Sequence, residues 1–158
     1  MKSYVIAALF ACTASSAFAQ CPAAPDHSLQ LSELITSAQI ATDERAAQVV
    51  SNRMWELWAD APDARAQAFL DEGMSRREGY DFAGAISVFE DLIAYCPNYA
   101  EGYNQKAFAH FLRQEYDTAL IELNKAIALS PNHIAAISGK ALTLIGLQRD
   151  DEAQVALR

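Results

Sequence analysis

The sequence lacks the short motifs that mark the common catalytic and metal sites. It contains no G-x-S-x-G, no P-loop, no G-x-G-x-x-G, no H-E-x-x-H and no C-x-x-C. Its three histidines, His27, His110 and His133, are never one helical turn apart, so a metal site has little support. Adjacent carboxylates such as Asp71 and Glu72 are typical of a solvated helix face. We therefore predict a protein with no catalytic residue, no bound metal and no cofactor.

Positive charge is also scarce, and the chain has no basic stripe. Its formal net charge is −8 at neutral pH. Lys and Arg contacts to phosphates dominate binding to nucleic acids and to anionic lipid surfaces. We therefore expect neither partner, and we interpret the acidity as a contribution to solubility.

Long apolar runs are absent after the first twenty residues. Lys2 precedes an apolar run from Tyr4 to Ala14, and Ala17 and Ala19 then form an A-x-A pattern. The run is too short for a bilayer, which needs about 20 apolar residues. It predicts a signal peptide over residues 1–19 that is cleaved after Ala19. The mature chain is then periplasmic or secreted, without membrane insertion; an N-terminal membrane anchor is the alternative.

Cysteine is rare, with three in the chain, and cleavage would leave only Cys21 and Cys96. Disulfide bonds persist in the oxidising compartments that an export signal implies. The even number favours a Cys21–Cys96 bridge, which would tie the flexible N-terminal arm, residues 20–27, to the rest of the protein. The alternative is a buried Cys96 that packs as a small apolar residue.

No stretch shows the two-residue alternation of a strand, whereas similar segments recur at a spacing of 34 residues. Ala85, Ala119 and Ala153 follow this spacing, and so do Pro97 and Pro131. Within each unit, apolar residues at helical spacing form two segments that are separated by a short turn. The pattern predicts an all-α fold of stacked helical hairpins.

Turn and cap residues mark the helix ends in the first of these units. Asp81, after the turn at Gly79, is predicted to cap the second helix. Asn98, with Glu101 three residues later, resembles a capping box at the start of the next unit. Pro97 and Pro131 stand where the preceding helices must end.

The repeating units resemble the tetratricopeptide repeat (TPR), a 34-residue helical hairpin with a small residue where its two helices meet. The match rests on the following positions: Phe69, Gly73, Ala85, Phe89 and Pro97 in the first unit, Tyr103, Ala107, Ala119, Leu123, Ala126 and Pro131 in the second, and Ile137, Ala141, Leu144, Ala153 and Leu157 in the third. Nearly all of the mature chain is similar to exported alphaproteobacterial TPR proteins of unassigned function. The resemblance implies a short TPR superhelix over residues 64–158, with repeats at about 66–99, 100–133 and 134–158.

The last repeat is short, and we interpret it as incomplete. Ahead of the repeats, the apolar residues of 28–60 recur at helical spacing and predict a degenerate helical hairpin. Thr42 or Asp43 is the predicted cap of its second helix. We expect this hairpin to cover the exposed face of the first repeat, as terminal units of helical arrays do. Trp55 and Trp58 are three residues apart and can share one helix face, either in the core or as anchors for a partner.

In TPR proteins, the first helices of the repeats line a concave groove that binds other polypeptides. Transferred to this sequence, the resemblance implies a largely apolar lining with Asn104 as a hydrogen-bonding group for a peptide backbone. The residues implied are Leu70, Met74, Arg77, Asn104, Phe108, Phe111, Leu112, Ser138, Leu142 and Ile145. Leu70 and Met74 stand where the carboxylate-binding TPR proteins have Lys and Asn, so we do not expect recognition of a C-terminal carboxylate.

These observations predict a non-catalytic scaffold or adaptor that binds a protein or peptide partner in the groove. One alternative is a groove filled by the chain's own N-terminal arm or a further segment. Another is a structural homo-oligomer that pairs through Ala153, Ala156 and Leu157.

Overall fold

The computed structural model describes residues 20–158, and the predicted signal peptide lies outside this range. In these residues the fold is all-helical, as predicted, with no strand. The helices are α1 (Ser28–Gln39), α2 (Glu44–Trp58), α3 (Ala64–Glu78), α4 (Phe82–Tyr95), α5 (Ala100–Leu112), α6 (Tyr116–Leu129), α7 (Ile134–Gly146) and α8 (Asp150–Ala156). None of these helices is long and apolar enough to cross a bilayer.

From α3 onward, the helices form three hairpins that stack in chain order. The helices α3 and α4, α5 and α6, and α7 and α8 pair within the hairpins, while α4 packs on α5 and α6 on α7. The first helices of successive hairpins also touch, α3 with α5 and α5 with α7. This is the arrangement of a TPR-like helical array, in which each hairpin buries its apolar face against its neighbours.

The turns inside the three hairpins share one backbone geometry. Tyr80, Gln114 and Gln148 have φ values of 63°, 62° and 60°, and they follow one another at the 34-residue spacing. The next residue in each turn donates its N–H to the helix carbonyl five residues earlier, for example Asp81 to Arg76 at 2.9 Å. This bonding satisfies the last carbonyls of the helix as in a Schellman motif. The left-handed position is therefore Tyr80, since the neighbouring Gly79 has a φ of −77°.

The observed N-caps confirm some of the predicted helix starts, at Asp43 and Asp81. Asp43, Asp63 and Asp81 accept a hydrogen bond from the backbone N–H three residues later, at the starts of α2, α3 and α4. The capping box at Asn98 is wrong, because α5 begins after Tyr99 without a side-chain cap. Glu101, which the box would place at the helix surface, is instead 1% exposed.

Small residues stand where the helices of a hairpin meet. A methyl group at Gly73 would lie 2.3 Å from the Phe89 ring, so that position has room for hydrogen only. Ala85 and Ala119 are fully buried and Ala153 is 3% exposed. Because Ala153 packs with Ala141 and Leu144, it is not available for the pairing of two chains considered above.

Replacing Ala119 with leucine should therefore destabilise the fold. The larger side chain must displace α5 or α6, and overpacking of this kind costs about 1–3 kcal/mol. Urea denaturation followed by far-UV circular dichroism measures the loss. Leucine at Ala128, which is exposed on the same helix, is the matched control and should leave the unfolding midpoint unchanged.

The N-terminal arm is tied to the first hairpin by a disulfide bond. Cys21 and Cys96 are bonded, with Cα atoms 5.2 Å apart. Cys96 follows α4 and belongs to the core cluster of the first hairpin, while Cys21 packs against that cluster. A second tie lies nearby, because His27 Nε2 is 2.8 Å from the carboxylate of Asp60. The arm thus returns to the point where α2 ends.

The α1–α2 hairpin does not act as a simple end cap. Of its helical residues only Met54 and Trp58 are buried. Trp58 stacks on His133, with ring centroids 4.4 Å apart and planes at 13°, and its carbonyl accepts a hydrogen bond from the Tyr99 hydroxyl at 2.7 Å. His133 is the residue just before α7, so the hairpin reaches past the first repeat to the boundary between the second and the third. The hairpin therefore contacts residues beyond the first repeat, whose exposed face it is predicted to cover.

Candidate functional site

The concave face of the array is formed by α3, α5 and α7, and α2 lies across part of it. Trp55 of α2 faces α5 and α7 over a cavity of about 270 Å³, which we call the central cavity. Its other described lining residues are Asn104, Gln105, Ala107, Phe108, Phe111, Leu123, Ala135, Ser138, Gly139, Leu142 and Thr143.

The cavity exists because the side chains of α7 that face α5 are small. Ala135, Ser138 and Gly139 carry small side chains or none, and the added Cβ of an alanine at Gly139 would already lie 3.1 Å from Leu123. Large rings from the other helices, Trp55 and Phe111 among them, form the walls. Small residues on one side and aromatic rings on the other leave a slot that an apolar side chain can enter.

The lining offers apolar contact and a few neutral hydrogen-bonding groups. Its polar lining residues are Ser138, Thr143, Asn104 and Gln105, and none of the described lining residues carries a charge. Thr143, Asn104 and Gln105 are buried and already donate hydrogen bonds within the chain, which leaves Ser138 to bond a ligand. Phe108 and Leu142, at the rim, are 44% and 55% exposed. A charged ligand group would lose its hydration here without gaining an ionic partner, so the site favours uncharged apolar groups.

A chain of buried polar groups supports the floor of the cavity. Glu101 accepts hydrogen bonds from the side-chain amides of Asn104 and Gln105. Its other partner is His133, whose Nε2 lies 2.7 Å from the carboxylate, and both side chains are 1% exposed. The Nδ1 atom of His133 accepts the Ala136 N–H, so Nε2 bears the proton that is donated to Glu101.

Arg77 is the last member of this hydrogen-bonded group and lies at the edge of the concave face. Its guanidinium donates to the side-chain oxygen of Gln105 and lies 4.8 Å from the centre of the Phe108 ring. Burial lowers the pKa of Arg77 from its ordinary value, because a low-dielectric environment disfavours the charged form. The arginine therefore orients two residues of the cavity lining, Gln105 and Phe108, while remaining outside the lining itself.

The structure brings together half of the groove residues implied by the resemblance. Asn104, Phe108, Phe111, Ser138 and Leu142 line the central cavity. Leu112 and Ile145 are 40% and 52% exposed and do not line it, although they lie on α5 and α7, and Met74 packs at the edge of the core.

Leu70 requires a correction, because it is fully buried. It belongs to the core cluster that also contains Ala61, and Ala59 packs against that cluster. The segment that leads from α2 to α3 thus covers the part of the concave face where Leu70 was placed by the repeat register.

Asn104 is less available than its groove position implies. It is 6% exposed, and its side-chain nitrogen is 3.2 Å and 3.3 Å from the two carboxylate oxygens of Glu101. It lines the cavity, but its donor already has a partner within the chain.

Sequence reasoning missed Trp55 as a lining residue because it lies outside the repeats. The spacing of Trp55 and Trp58 gave the only available signal. The two rings meet edge to face, with their centroids 6.3 Å apart. They nevertheless lie in different environments. Trp58 is buried, whereas Trp55 lines the cavity.

Comparison with known proteins gives partial matches to proteins named for tetratricopeptide repeats. A Tetratricopeptide repeat protein 36 homolog of Nematostella vectensis is 40% identical over 72 residues, which are 46% of this chain and 40% of that protein. Tetratricopeptide repeat protein 36 of Xenopus tropicalis is 38% identical over 57% of this chain and 46% of its own length. A TPR repeat-containing protein of Rhizobium etli is 24% identical over 73% of this chain and 56% of its own length.

No protein-family model matches the chain. The chain spans about half the length of the curated relatives it matches.

Proposed function

We propose that the chain is a tetratricopeptide-repeat protein, like the proteins it is similar to, and that it is a non-catalytic interaction scaffold that binds an uncharged apolar segment of a protein partner. The observation that carries this proposal is the central cavity, with its uncharged lining and its exposed rim of Phe108 and Leu142. Proteins of this repeat family commonly act as interaction scaffolds rather than enzymes. We further propose that this binding takes place in the periplasm or outside the cell.

The chemistry of the cavity decides the class of ligand. A pocket of about 270 Å³ is close to the lower end of small-ligand sites, which begin at about 300 Å³, and it can hold one large apolar side chain. The hydroxyl group of Ser138, which lines the cavity, can hydrogen-bond a peptide backbone and is uncharged. This combination favours a segment whose apolar side chains project from one face.

Replacing Leu142 with lysine is expected to abolish this binding. The substitution places a charge at the rim, where an apolar ligand would have to desolvate it, so affinity should fall by about tenfold or more. Peptide display on the purified mature protein identifies ligands, and calorimetry with the selected peptides measures the loss.

Ile121→Lys is the matched control for that experiment. Ile121 is 56% exposed, almost the same as Leu142 at 55%, but it lies on α6, outside the cavity lining. Equal losses in the two variants would contradict the proposal. Selection of acidic or basic peptides by the wild-type protein would contradict the ligand class.

A groove that the chain itself fills is the second candidate, and one observation favours it in part. The segment after α2 already covers the part of the concave face where Leu70 lies, since Ala59 and Ala61 pack in the same core cluster as Leu70. If this occupation were complete and the protein acted as a homo-oligomer, light scattering would show a stable assembly, and peptides would not bind at the central cavity.

A further inference from the structure

The α1–α2 hairpin contributes a wall to the central cavity, although it lies outside the repeats. We propose that Trp55 is a specificity-determining residue of the site, that Trp58 and His133 position it, and that the ligand is a segment with two large apolar side chains that straddle Trp55. This inference rests on the proposed function and deepens it.

The position of Trp55 is set by contacts at the end of α2. Trp58, three residues later, stacks on His133, and its carbonyl accepts the Tyr99 hydroxyl. His133 is in turn fixed by Glu101 on one ring nitrogen and by the Ala136 N–H on the other. The Trp55 ring meets the Trp58 ring edge to face, so its orientation depends on this stack.

Apart from the disulfide bond and the His27–Asp60 contact at its ends, few noncovalent contacts hold the hairpin in place. The helix α1 has no buried residue, and in α2 only Met54 and Trp58 are buried. A segment with so few buried contacts has a low local stability. The stack at Trp58 is therefore the contact through which the second wall of the cavity is positioned.

A second apolar cavity lies on the other side of the hairpin. It is bounded by α1, α2 and α7, and Ile35, Met54 and Ile134 are among its lining residues. Ala135 and Ser138 line both this cavity and the central one, so the two are neighbours along α7. None of the described residues that line either cavity is charged.

Two adjoining apolar cavities without charges predict a ligand with two apolar anchors. One side chain enters the central cavity beside Phe108 and Phe111, and the other enters the cavity beneath α1. Ser138 lies between them and can hydrogen-bond the ligand's backbone. The net charge of the protein is −8, yet no carboxylate is found among the described residues that line either cavity. This contrast favours an uncharged contact face on the partner.

Synthetic peptides with capped ends test this inference. The peptides are built from Ala and Gln and carry either one Phe or two Phe residues, at helical or at extended spacings. Binding is measured by calorimetry on the disulfide-bonded protein, with Trp55→Ala, Trp58→Ala and their double variant. Val49→Ala, an exposed change on the same helix, is the control, and circular dichroism shows that each variant is folded.

We expect the best two-Phe peptide to bind the wild-type protein about tenfold more tightly than the one-Phe peptide. Trp55→Ala should weaken the binding of both peptides, because Trp55 lines the central cavity, but it should weaken the two-Phe peptide more, so that the preference falls to less than about twofold. In the Trp58→Ala background, the further change at Trp55 should have less than a twofold effect, because the ring is no longer positioned.

The outcomes separate this inference from the proposed function. If one-Phe peptides bind and Leu142→Lys abolishes that binding, but Trp55→Ala leaves the preference unchanged, the role of Trp55 is overturned and the proposed function stands. If the effects of Trp55→Ala and Trp58→Ala are independent, the positioning role of Trp58 is overturned. If no uncharged peptide binds the wild-type protein, both fail.

Discussion

Replacing Cys21 with serine is expected to lower the free energy of unfolding by about 2–5 kcal/mol. The disulfide bond closes a loop between residues 75 apart in sequence, and the loop-entropy model gives about 4–5 kcal/mol for a loop of this length. The loop contains the arm and the α1–α2 hairpin, which has few buried residues of its own. The bridge therefore acts where noncovalent contacts are fewest.

The two tryptophans allow the effect to be located. Both lie on α2, so tryptophan fluorescence reports the docking of the hairpin, while far-UV circular dichroism reports mainly the six other helices. In Cys21→Ser the fluorescence transition in urea should move to lower denaturant than the dichroism transition. The wild-type protein with reductant should behave in the same way.

Serine at Cys21 is a cleaner change than serine at Cys96. Cys96 is 1% exposed in the core, where a new hydroxyl would add its own cost. If the Cys21→Ser and oxidised wild-type proteins unfold at the same midpoint by both probes, the bridge does not stabilise the hairpin.

The repeating part of the fold could be predicted because the packing and capping requirements of each unit are met by residues nearby in the sequence or in the next unit. The residues Gly73, Ala85 and Ala119 must be small wherever two helices of a hairpin touch, so the requirement recurs every 34 residues and is visible in the sequence. Asp81 caps its own helix through a hydrogen bond to Gly84. Such constraints depend on neighbours a few residues away or on the next copy of the same unit.

The course of α2 could not be predicted in this way. Its placement depends on single long-range contacts, such as Trp58 with His133, which do not recur in the other units. The repeat register therefore assigned Leu70 to an open groove, whereas the segment after α2 covers it. The same cause hid Trp55, since its neighbours in the cavity lie on α5 and α7, far along the chain.

Glu101 shows how a local pattern can mislead. A glutamate three residues after Asn98 fits a capping box, but the carboxylate turns inward and meets His133, which lies 32 residues away. A sequence cannot distinguish the two uses of this glutamate, because its spacing from Asn98 fits the box, while the partner with which it pairs lies 32 residues away, at the other end of the same repeat.

Replacing His133 with alanine is expected to cost about 3 kcal/mol of stability or more. The change removes one of the three side chains that donate hydrogen bonds to the buried carboxylate of Glu101, and a buried group left unsatisfied costs about 1–3 kcal/mol, or more when it is charged. Trp58 also loses the ring on which it stacks. Urea denaturation should therefore show a lower midpoint by circular dichroism and an earlier loss of the tryptophan signal.

A double-mutant cycle with Glu101→Gln separates the charge from the packing. In the glutamine background, no carboxylate is left unpaired, so His133→Ala should cost only about 1–3 kcal/mol, the penalty for unsatisfied neutral groups. A difference between the two backgrounds measures the coupling of the pair. Equal costs in both backgrounds would show that the imidazole of His133 acts through its stacking on Trp58, and that the buried carboxylate does not depend on it.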